Sequence, residues 1–228
     1  NWNTQFWETN NLNDFYQYLK IQNADIYQFQ EHIEIDADGS NFVINDLKSL
    51  EGEFKDYQIV GKGELLIFSK YPIIKKYFDH SSYYMRNDIE IDGKIVSFYN
   101  VHVPVQIVPS YITNPIKFMN DIEYRFYWRE EILNSLLNDI KNNKNLFYVS
   151  GDFNTTKSMR EMNDLLSLTN DSFRYSSTLF PATWMAYGLK LWRIDYNLVS
   201  KNLNIITHED IDPKSFSDHW GQKVKVEI

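Results

Sequence analysis

The chain has 228 residues, 43% hydrophobic and 24% charged, enough apolar material for one domain with a sizeable core and too much for disorder. It contains no cysteine, which excludes disulfides, thiolate metal sites and cysteine nucleophiles. A net charge of −8 argues against a broad basic face for gripping DNA, while a local basic patch beside a metal stays compatible with it.

The sequence opens on Asn1 with no initiating Met and reads as processed or trimmed, so a secreted or membrane-tethered setting is favoured over the cytoplasm. Asn1-Trp2-Asn3-Thr4-Gln5-Phe6-Trp7 reads as a truncated first strand and its exit. Residues 12–20 carry Leu12, Phe15, Tyr16 and Leu19 at helical spacing. A short strand at 24–30 ends at Glu31-His32, and 42–50 reads as a helix. Strands follow at 57–60 and 65–69, joined through Gly61-Lys62-Gly63, and at 73–78 after Pro72. Asp92-Gly93 signals a hairpin between 89–91 and 94–103, and in its second arm Val96, Phe98, Asn100 and His102 share one face. Residues 104–121 read as irregular, and 122–141 as the longest helix, with a core stripe of Ile122, Phe126, Leu133, Leu136, Leu137 and Ile140. Leu146-Phe147-Tyr148-Val149 is a buried strand leading into Ser150-Gly151-Asp152-Phe153-Asn154, where Gly151 permits backbone angles closed to other residues. A short helix at 161–168 and strands at 194–200, 203–207 and 223–228 complete the chain. No linker, repeat or low-complexity block interrupts it and no run is long enough for a transmembrane helix, so 1–228 reads as a single domain of α+β type.

Polar residues gather at the predicted strand ends: Asn3; Glu31; Asn100 and His102; Asp152 and Asn154; Asp195; and Asp218-His219. Asp152 and Asn154, two apart, point to one side of an extended chain, and a carboxylate beside a carboxamide suits handling a water and an oxyanion together. Oxygen donors without cysteine favour Mg²⁺, Mn²⁺ or Ca²⁺ over structural zinc. Each residue taken singly has a structural reading as well. Asp152 reads as a turn former, Glu31 as a solvated strand end, His102 as a hydrogen-bonded histidine, Asp195 as half of an ion pair and Asp218-His219 as a turn.

In order along the chain, Trp2-Asn3, Gln30-Glu31, Asn100-Val101-His102, Gly151-Asp152-Phe153-Asn154, Arg193-Ile194-Asp195-Tyr196 and Ser217-Asp218-His219 closely resemble the endonuclease/exonuclease/phosphatase superfamily, the DNase I-like fold. Leu65 to Ile73 is similar to the family's ILSRYPI segment. The resemblance spans nearly the whole chain and implies two mixed β-sheets packed face to face with helices outside, a four-layer α/β sandwich. It implies Mg²⁺ (or Mn²⁺), with Asn3, Glu31 and Asp218 at the metal. It implies that Asp152 orients or deprotonates the attacking water and that Asn154 and His102 contact the phosphate oxygens. His219, steered by Asp195, would be the general acid or electrostatic partner. The implied reaction is in-line attack of water on a phosphoester with no covalent enzyme intermediate.

Other segments bear on the substrate. Residues 122–129 and 191–196 resemble AP endonucleases of the exonuclease III group, although those carry Tyr where His102 stands and Asn where Val105 stands. A His at that place is similar to DNase I, sphingomyelinases and inositol phosphatases, while Ser217-Asp218-His219-Trp220-Gly221 is similar to type 2 tyrosyl-DNA phosphodiesterases. The favoured substrate is a nucleic-acid phosphodiester. The alternatives are a lipid or inositol phosphoester and, from another class, a non-catalytic binding module. Asn100, Trp184, Trp192 and Trp220 are candidate substrate contacts, the tryptophans by stacking on a base or a lipid headgroup. The segment 103–121, with Val105, Ile107, Val108, Tyr111, Ile112, Ile116 and Phe118, should rim the mouth, either packed as a lid or touching a lipid or membrane. The expected state is a monomer.

Overall fold

The computed structural model describes residues 1–7, 11–32, 34–35, 42–43, 47–108 and 112–228. Two mixed sheets face each other. The first runs in the order β1 (Trp2–Asn3), β2 (Ile26–Gln30), β6 (Leu65–Ser69), β5 (Gln58–Lys62), with β1 parallel to β2 and the other pairs antiparallel. Reciprocal backbone bonds between Asn1 and Gln222, at 2.9 and 3.0 Å, dock the hairpin of β15 (Asn204–Ile211) and β16 (Gly221–Glu227) on the other side of β1. The second sheet runs β11 (Thr169–Asp171), β14 (Asp195–Ser200), β10 (Leu146–Asp152), β9 (Lys94–His102), β8 (Tyr84–Ile91), β7 (Ile73–Phe78), with β9 and β10 parallel.

Period-two alternation assigns each strand's two faces. On β6, Leu65 and Ile67 enter the space between the sheets, where they meet Met85, Ile89, Val96 and Phe98 of the second sheet. Leu66 and Phe68 turn outward to Phe15 and Leu19 of α1 (Leu12–Gln22) and to Leu50 of α2 (Leu47–Glu53). The outer face of the second sheet, with Tyr99, Val101, Val149 and Leu198, is covered by Ile132, Leu133, Leu136 and Ile140 of α3 (Pro115–Asn142) and Leu165 of α4 (Asn163–Leu168). The layers are therefore helices, sheet, sheet, helices, the sandwich that the resemblance implied.

Several boundaries differ from the sequence expectation. Asn114 caps α3 by accepting from Lys117 N at 3.1 Å, and Pro115 opens the helix, so it begins seven residues before Ile122. Its first half projects from the body: Phe126, expected in the core stripe, is 58% exposed, whereas Leu133, Leu136, Leu137 and Ile140 are buried. The helix expected over 42–50 is instead the strand β4 (Phe42–Val43), paired with β3 (Glu34–Ile35), followed by α2. Polar Arg86, Asn87 and Asp88 concealed the first half of β8; Arg86 is accommodated there by Asp88 at 2.8 Å and Asp139 at 2.8 Å. The hairpin of β12 (Trp184–Ala186) and β13 (Leu189–Trp192) also went unread from the sequence.

Toward one end the space between the sheets turns polar. Ser150 Oγ donates to Gln28 Oε1 at 2.8 Å, Gln30 Nε2 to Asn100 Oδ1 at 2.5 Å and Asn197 Nδ2 to Gln222 Oε1 at 2.5 Å, each bond crossing from one sheet to the other. These ties fix the two sheets' relative position at the end where the candidate residues lie.

Candidate active site

Strand register alone brings three candidates side by side. Asp152 at the end of β10 stands opposite His102 at the end of β9 and opposite Asp195 at the start of β14. Gly151 makes this possible: with φ +151 it lies so close to β9 that an added Cβ would sit 1.8 Å from the Val101 oxygen. The first sheet adds Asn3 and Glu31 from the ends of β1 and β2, the latter just past the strand at φ 57. The C-terminal loop is pinned beneath them, with Ser217 Oγ donating to Asn3 O at 2.8 Å and Trp2 Nε1 to His219 O at 2.8 Å.

The centre of the site is the Asp152 carboxylate, 1% exposed. Its Oδ1 accepts from Asn154 N at 2.7 Å. Its Oδ2 accepts from Asn3 Nδ2 at 3.0 Å and Asn154 Nδ2 at 3.3 Å, and lies 3.8 Å from His102 Nε2 and 3.9 Å from His219 Nε2. Burial, reinforced by the neighbouring Asp195 charge, pushes the Asp152 carboxyl up to about 6. Both imidazoles are held from behind by a carboxylate, His219 Nδ1 by Asp195 Oδ2 at 2.8 Å and His102 Nδ1 by Glu64 Oε1 at 2.7 Å. Burial alone would lower their pKa values, but these partners and Asp152 raise both to about 10. At neutral pH the site thus presents two imidazolium N–H groups on either side of a partly basic carboxylate, with the Asn154 amide beside them. That constellation suits an anionic centre attacked by water.

Glu64 is a site residue that the sequence reading missed. It lies in the β5–β6 turn, where the glycines mark only a connection, and its backbone oxygen accepts from His32 N at 2.9 Å. An acid directly before the apolar run Leu65-Leu66-Ile67-Phe68 was the available signal. Arg129 was missed for the opposite reason, being a cation inside a helix's buried stripe. It is 1% exposed and donates to Pro104 O, to Phe153 O at 3.1 Å and to Glu161 Oε1 at 2.5 Å, so one guanidinium ties the segments after His102 and after Asp152 to α3. Thr183, also 1% exposed, accepts at Oγ1 from Ile194 N at 3.2 Å and Asp195 N at 3.1 Å, while its carbonyl accepts from Trp220 N at 2.7 Å. It therefore sets Asp195 and the His219 loop relative to one another. Thr183→Val should leave two buried N–H groups unpaired, lowering stability by about 2 kcal/mol and turnover about tenfold, with Thr183→Ser restoring both; thermal melts and steady-state rates on the two variants check this.

Asn100 does not reach the mouth. It is fully buried, and besides Gln30 its amide donates to Phe29 O at 2.9 Å and Leu66 O at 3.0 Å, so it ties sheet to sheet rather than facing a substrate. Asn3 turns its amide N–H toward both Glu31 Oε1, at 3.0 Å, and Asp152, while its oxygen accepts from Gln5 N. In this arrangement it orients two carboxylates. Trp184 and Trp192 stack at 5.3 Å and 11°, Trp184 Nε1 donates to Asp218 Oδ2 at 2.9 Å, and Trp192 is 56% exposed at the rim. Trp220 lies under the Lys190 ammonium, 3.5 Å from the ring centre. Of the segment 103–121, Val103 and Pro104 are buried, and Arg125 Nη1 donates to Val105 O at 3.2 Å. Val105 and Ile107 are 43% and 49% exposed, and Tyr111 lies outside the described residues.

The charge balance fits a hard cation. Among the described residues, five carboxylates, of Glu31, Glu64, Asp152, Asp195 and Asp218, surround two imidazoles. Burial pushes the Glu31 carboxyl upward, against the opposing effects of His102 and Asn3. Ligand atoms of Asp152, Asp195 and His219 also lie within 4.8 Å of one another. Within that trio Asp195 and His219 are joined directly, His219 Nδ1 to Asp195 Oδ2 at 2.8 Å, while Glu31 and Asp218 are further carboxylates near the two imidazoles, oxygen donors of the kind hard divalent cations take.

The sequence model of the Endonuclease/Exonuclease/phosphatase family matches residues 1–219. No curated protein matches the chain by sequence. Among solved structures it is similar to an endonuclease/exonuclease/phosphatase family protein from Leptotrichia buccalis, with TM-score 0.68 and 19% identity, covering 99% of this chain and 97% of that one. It is also similar to an AP endonuclease from Archaeoglobus fulgidus (TM-score 0.68, 17% identity, 93% of each chain). A third is TDP2 from D. rerio complexed with single strand DNA product (TM-score 0.70, 14% identity, 100% and 97%). At these identities the structural likeness establishes the fold.

Proposed function

The chain belongs to the endonuclease/exonuclease/phosphatase family, and from that premise we propose that it is a metal-dependent phosphodiesterase acting by direct attack of water, with a nucleic-acid phosphodiester as its substrate. The observation that carries this reading is the Asp152 carboxylate between two carboxylate-backed imidazoles. Asp152 accepts a proton from water as the water oxygen bonds to phosphorus. The bond from phosphorus to the leaving oxygen breaks, and the proton on His219 Nε2 passes to that oxygen. His102 Nε2 and the Asn154 amide donate to the phosphoryl oxygens. When bound at Glu31 and Asp218, a divalent cation supplies charge that offsets those oxygens. The stacked Trp184–Trp192 pair at the rim supports a base as the neighbouring group. So do the printed descriptions of two similar structures, an AP endonuclease and a complex with single strand DNA product.

Exposed Val105 and Ile107 just beyond His102 favour a second reading, a lipid phosphodiester. Turnover of oligonucleotides and of sphingomyelin by the purified protein, with Mg²⁺ and with chelator, separates the two. Cleavage of the lipid alone reverses the order, and no cleavage of any phosphoester removes the catalytic reading. The metal assignment has its own check. Mg²⁺ should raise the melting temperature of the wild type and should not raise that of Glu31→Gln; equal shifts would move the cation away from Glu31.

The pH dependence follows from the signs. Activity requires ionised Asp152 and protonated His219, so it should rise through about 6 and fall through about 10. Asp195 raises both values, so Asp195→Asn should move both limbs to lower pH, by about one unit or more on the alkaline side. His219 is raised in the fold above its ordinary 6.5, so the stability it contributes is fully present below that value and is lost as pH rises through about 10. Rate profiles and melting curves across this range check both statements; an unmoved alkaline limb in Asp195→Asn would remove His219 as the acid.

A further inference from the structure

Asp218 is held differently from the other carboxylates of the mouth. Its backbone is clamped on both sides: its N–H donates to Gln5 Oε1 at 3.0 Å, and its carbonyl accepts from Met185 N at 2.8 Å. Its side chain is 37% exposed, against 1–2% for Asp152 and Asp195. Among the described residues one hydrogen bond reaches its carboxylate, from Trp184 Nε1 to Oδ2 at 2.9 Å. That bond leaves Oδ1 on the His219 side, 3.9 Å from Nε2. With the backbone fixed, side-chain rotation is the freedom that remains to Asp218, and the indole N–H decides it.

The indole is itself fixed, in two ways. Trp184 and Trp192 are cross-strand partners in the hairpin of β12 and β13, and their rings stack at 5.3 Å and 11°. The pairing register shifts between Trp184 and Met185, an irregularity of the kind that re-aims a side chain beside a site. The base of the hairpin is then tied to the loop that carries Asp218: Trp220 N donates to Thr183 O at 2.7 Å, and Trp220 Nε1 to Met185 Sδ at 3.0 Å. Trp192 is anchored from behind, because Arg193 beside it makes two bonds to Asp171, at 2.7 and 2.6 Å. The residue type matters as well. A phenylalanine would fill the same stack without a donor. A lysine or arginine would donate, but its charge would oppose a cation at the same carboxylate. The indole N–H is a neutral donor with no acceptor of its own, so it orients Asp218 and leaves the negative charge in place.

We infer that Trp184 is a positioning residue for the divalent cation: its N–H holds the Asp218 carboxylate ready, and Trp192 braces the indole from the rim. The inference rests on the role proposed above for Asp218 at the cation. It also divides two tryptophans that the sequence grouped as substrate contacts. Trp192, 56% exposed, keeps an open face for a ligand's ring, whereas the polar atom of Trp184 is engaged inward on Asp218. A half-exposed carboxylate that had to be ordered on binding would lower affinity, and one ordered beforehand avoids that loss. Donors placed behind metal ligands are worth about 10–100-fold in metal affinity.

Mn²⁺ titrations of the protein, read by calorimetry and by the rise in melting temperature, test the inference without recourse to turnover. Trp184→Phe keeps a ring in the stack and removes the donor. It should bind Mn²⁺ about tenfold more weakly, while melting without metal within about 4 °C of wild type. Trp192→Leu, at an exposed position, should weaken Mn²⁺ by a smaller factor. The most discriminating readout is a double variant. Asp218→Asn alone should weaken Mn²⁺ at least as much as Trp184→Phe, and adding Trp184→Phe to it should cause no further loss, because the indole acts through that carboxylate. Full affinity in Trp184→Phe overturns the inference, as do losses that add in the double variant. Should Trp184→Phe not fold, Trp192→Leu decides, and full affinity there overturns the inference. Full affinity in Asp218→Asn, or a wild type that binds no Mn²⁺, removes the cation from Asp218 and overturns the underlying reading together with the inference.

Discussion

Asp152→Asn should lower turnover by about three orders of magnitude while shifting the melting temperature by less than about 4 °C. The two expectations have different origins. The asparagine keeps an oxygen for one of the present donors but has no proton affinity with which to take a proton from water. Stability changes little because the losses and gains oppose each other. The new amide faces a donor at Asn3 or Asn154, yet one of five crowded carboxylates is gone, and the carboxyl that burial had pushed up to about 6 no longer has to ionise inside the fold. Rates on an oligonucleotide substrate with parallel calorimetry decide the matter. Substantial remaining activity would move the base elsewhere, and a large fall in melting temperature would make Asp152 a structural residue.

The second large effect is expected far from any proton transfer. Arg129→Met should destabilise the fold by about 3–5 kcal/mol, which for a chain of this size lowers the melting temperature by about 10 °C. The guanidinium is 2% exposed, and its removal leaves the carbonyls of Pro104 and Phe153 without their donor and Glu161 without its charge partner. Pairing the change with Glu161→Gln should recover part of the loss, because the isolated carboxylate accounts for much of it. Arg129 is the side chain that joins the backbone after His102 to the backbone after Asp152 and to α3, so turnover should fall as well, through misplacement of Asn154. A melting temperature within two degrees of wild type would show that the two loops hold themselves.

Much of the floor of the site could be read from the sequence because its residues stand at or beside strand ends, in short words that survive out of context. Gly151-Asp152-Phe153-Asn154 and Ser217-Asp218-His219 are such words, and strand register then brings their residues to the same place. Glu64 has no such word around it. What makes it a site residue is the packing of one sheet on the other, which places its carboxylate 2.7 Å from His102, a pair 38 positions apart in the chain. Asn100 misled for the complementary reason: alternation correctly placed it on the face shared with His102, but two residues deeper that face is already sealed between the sheets. The helix α3 was found by its buried stripe and misjudged at its start, where the helix leaves the body and periodicity loses its physical cause.

The groups proposed to be catalytic are divided between the two sheets. Asn3, Glu31 and Glu64 come from one; His102, Asp152 and Asp195 come from the other; and bonds such as Ser150 to Gln28 hold the halves in register. Neither half has a site of its own. A chain whose sheets have drifted apart parts His102 from Glu64 and Asp152 from Asn3. Hydrolytic competence is in this sense a property of the assembled pair of sheets and of neither one alone.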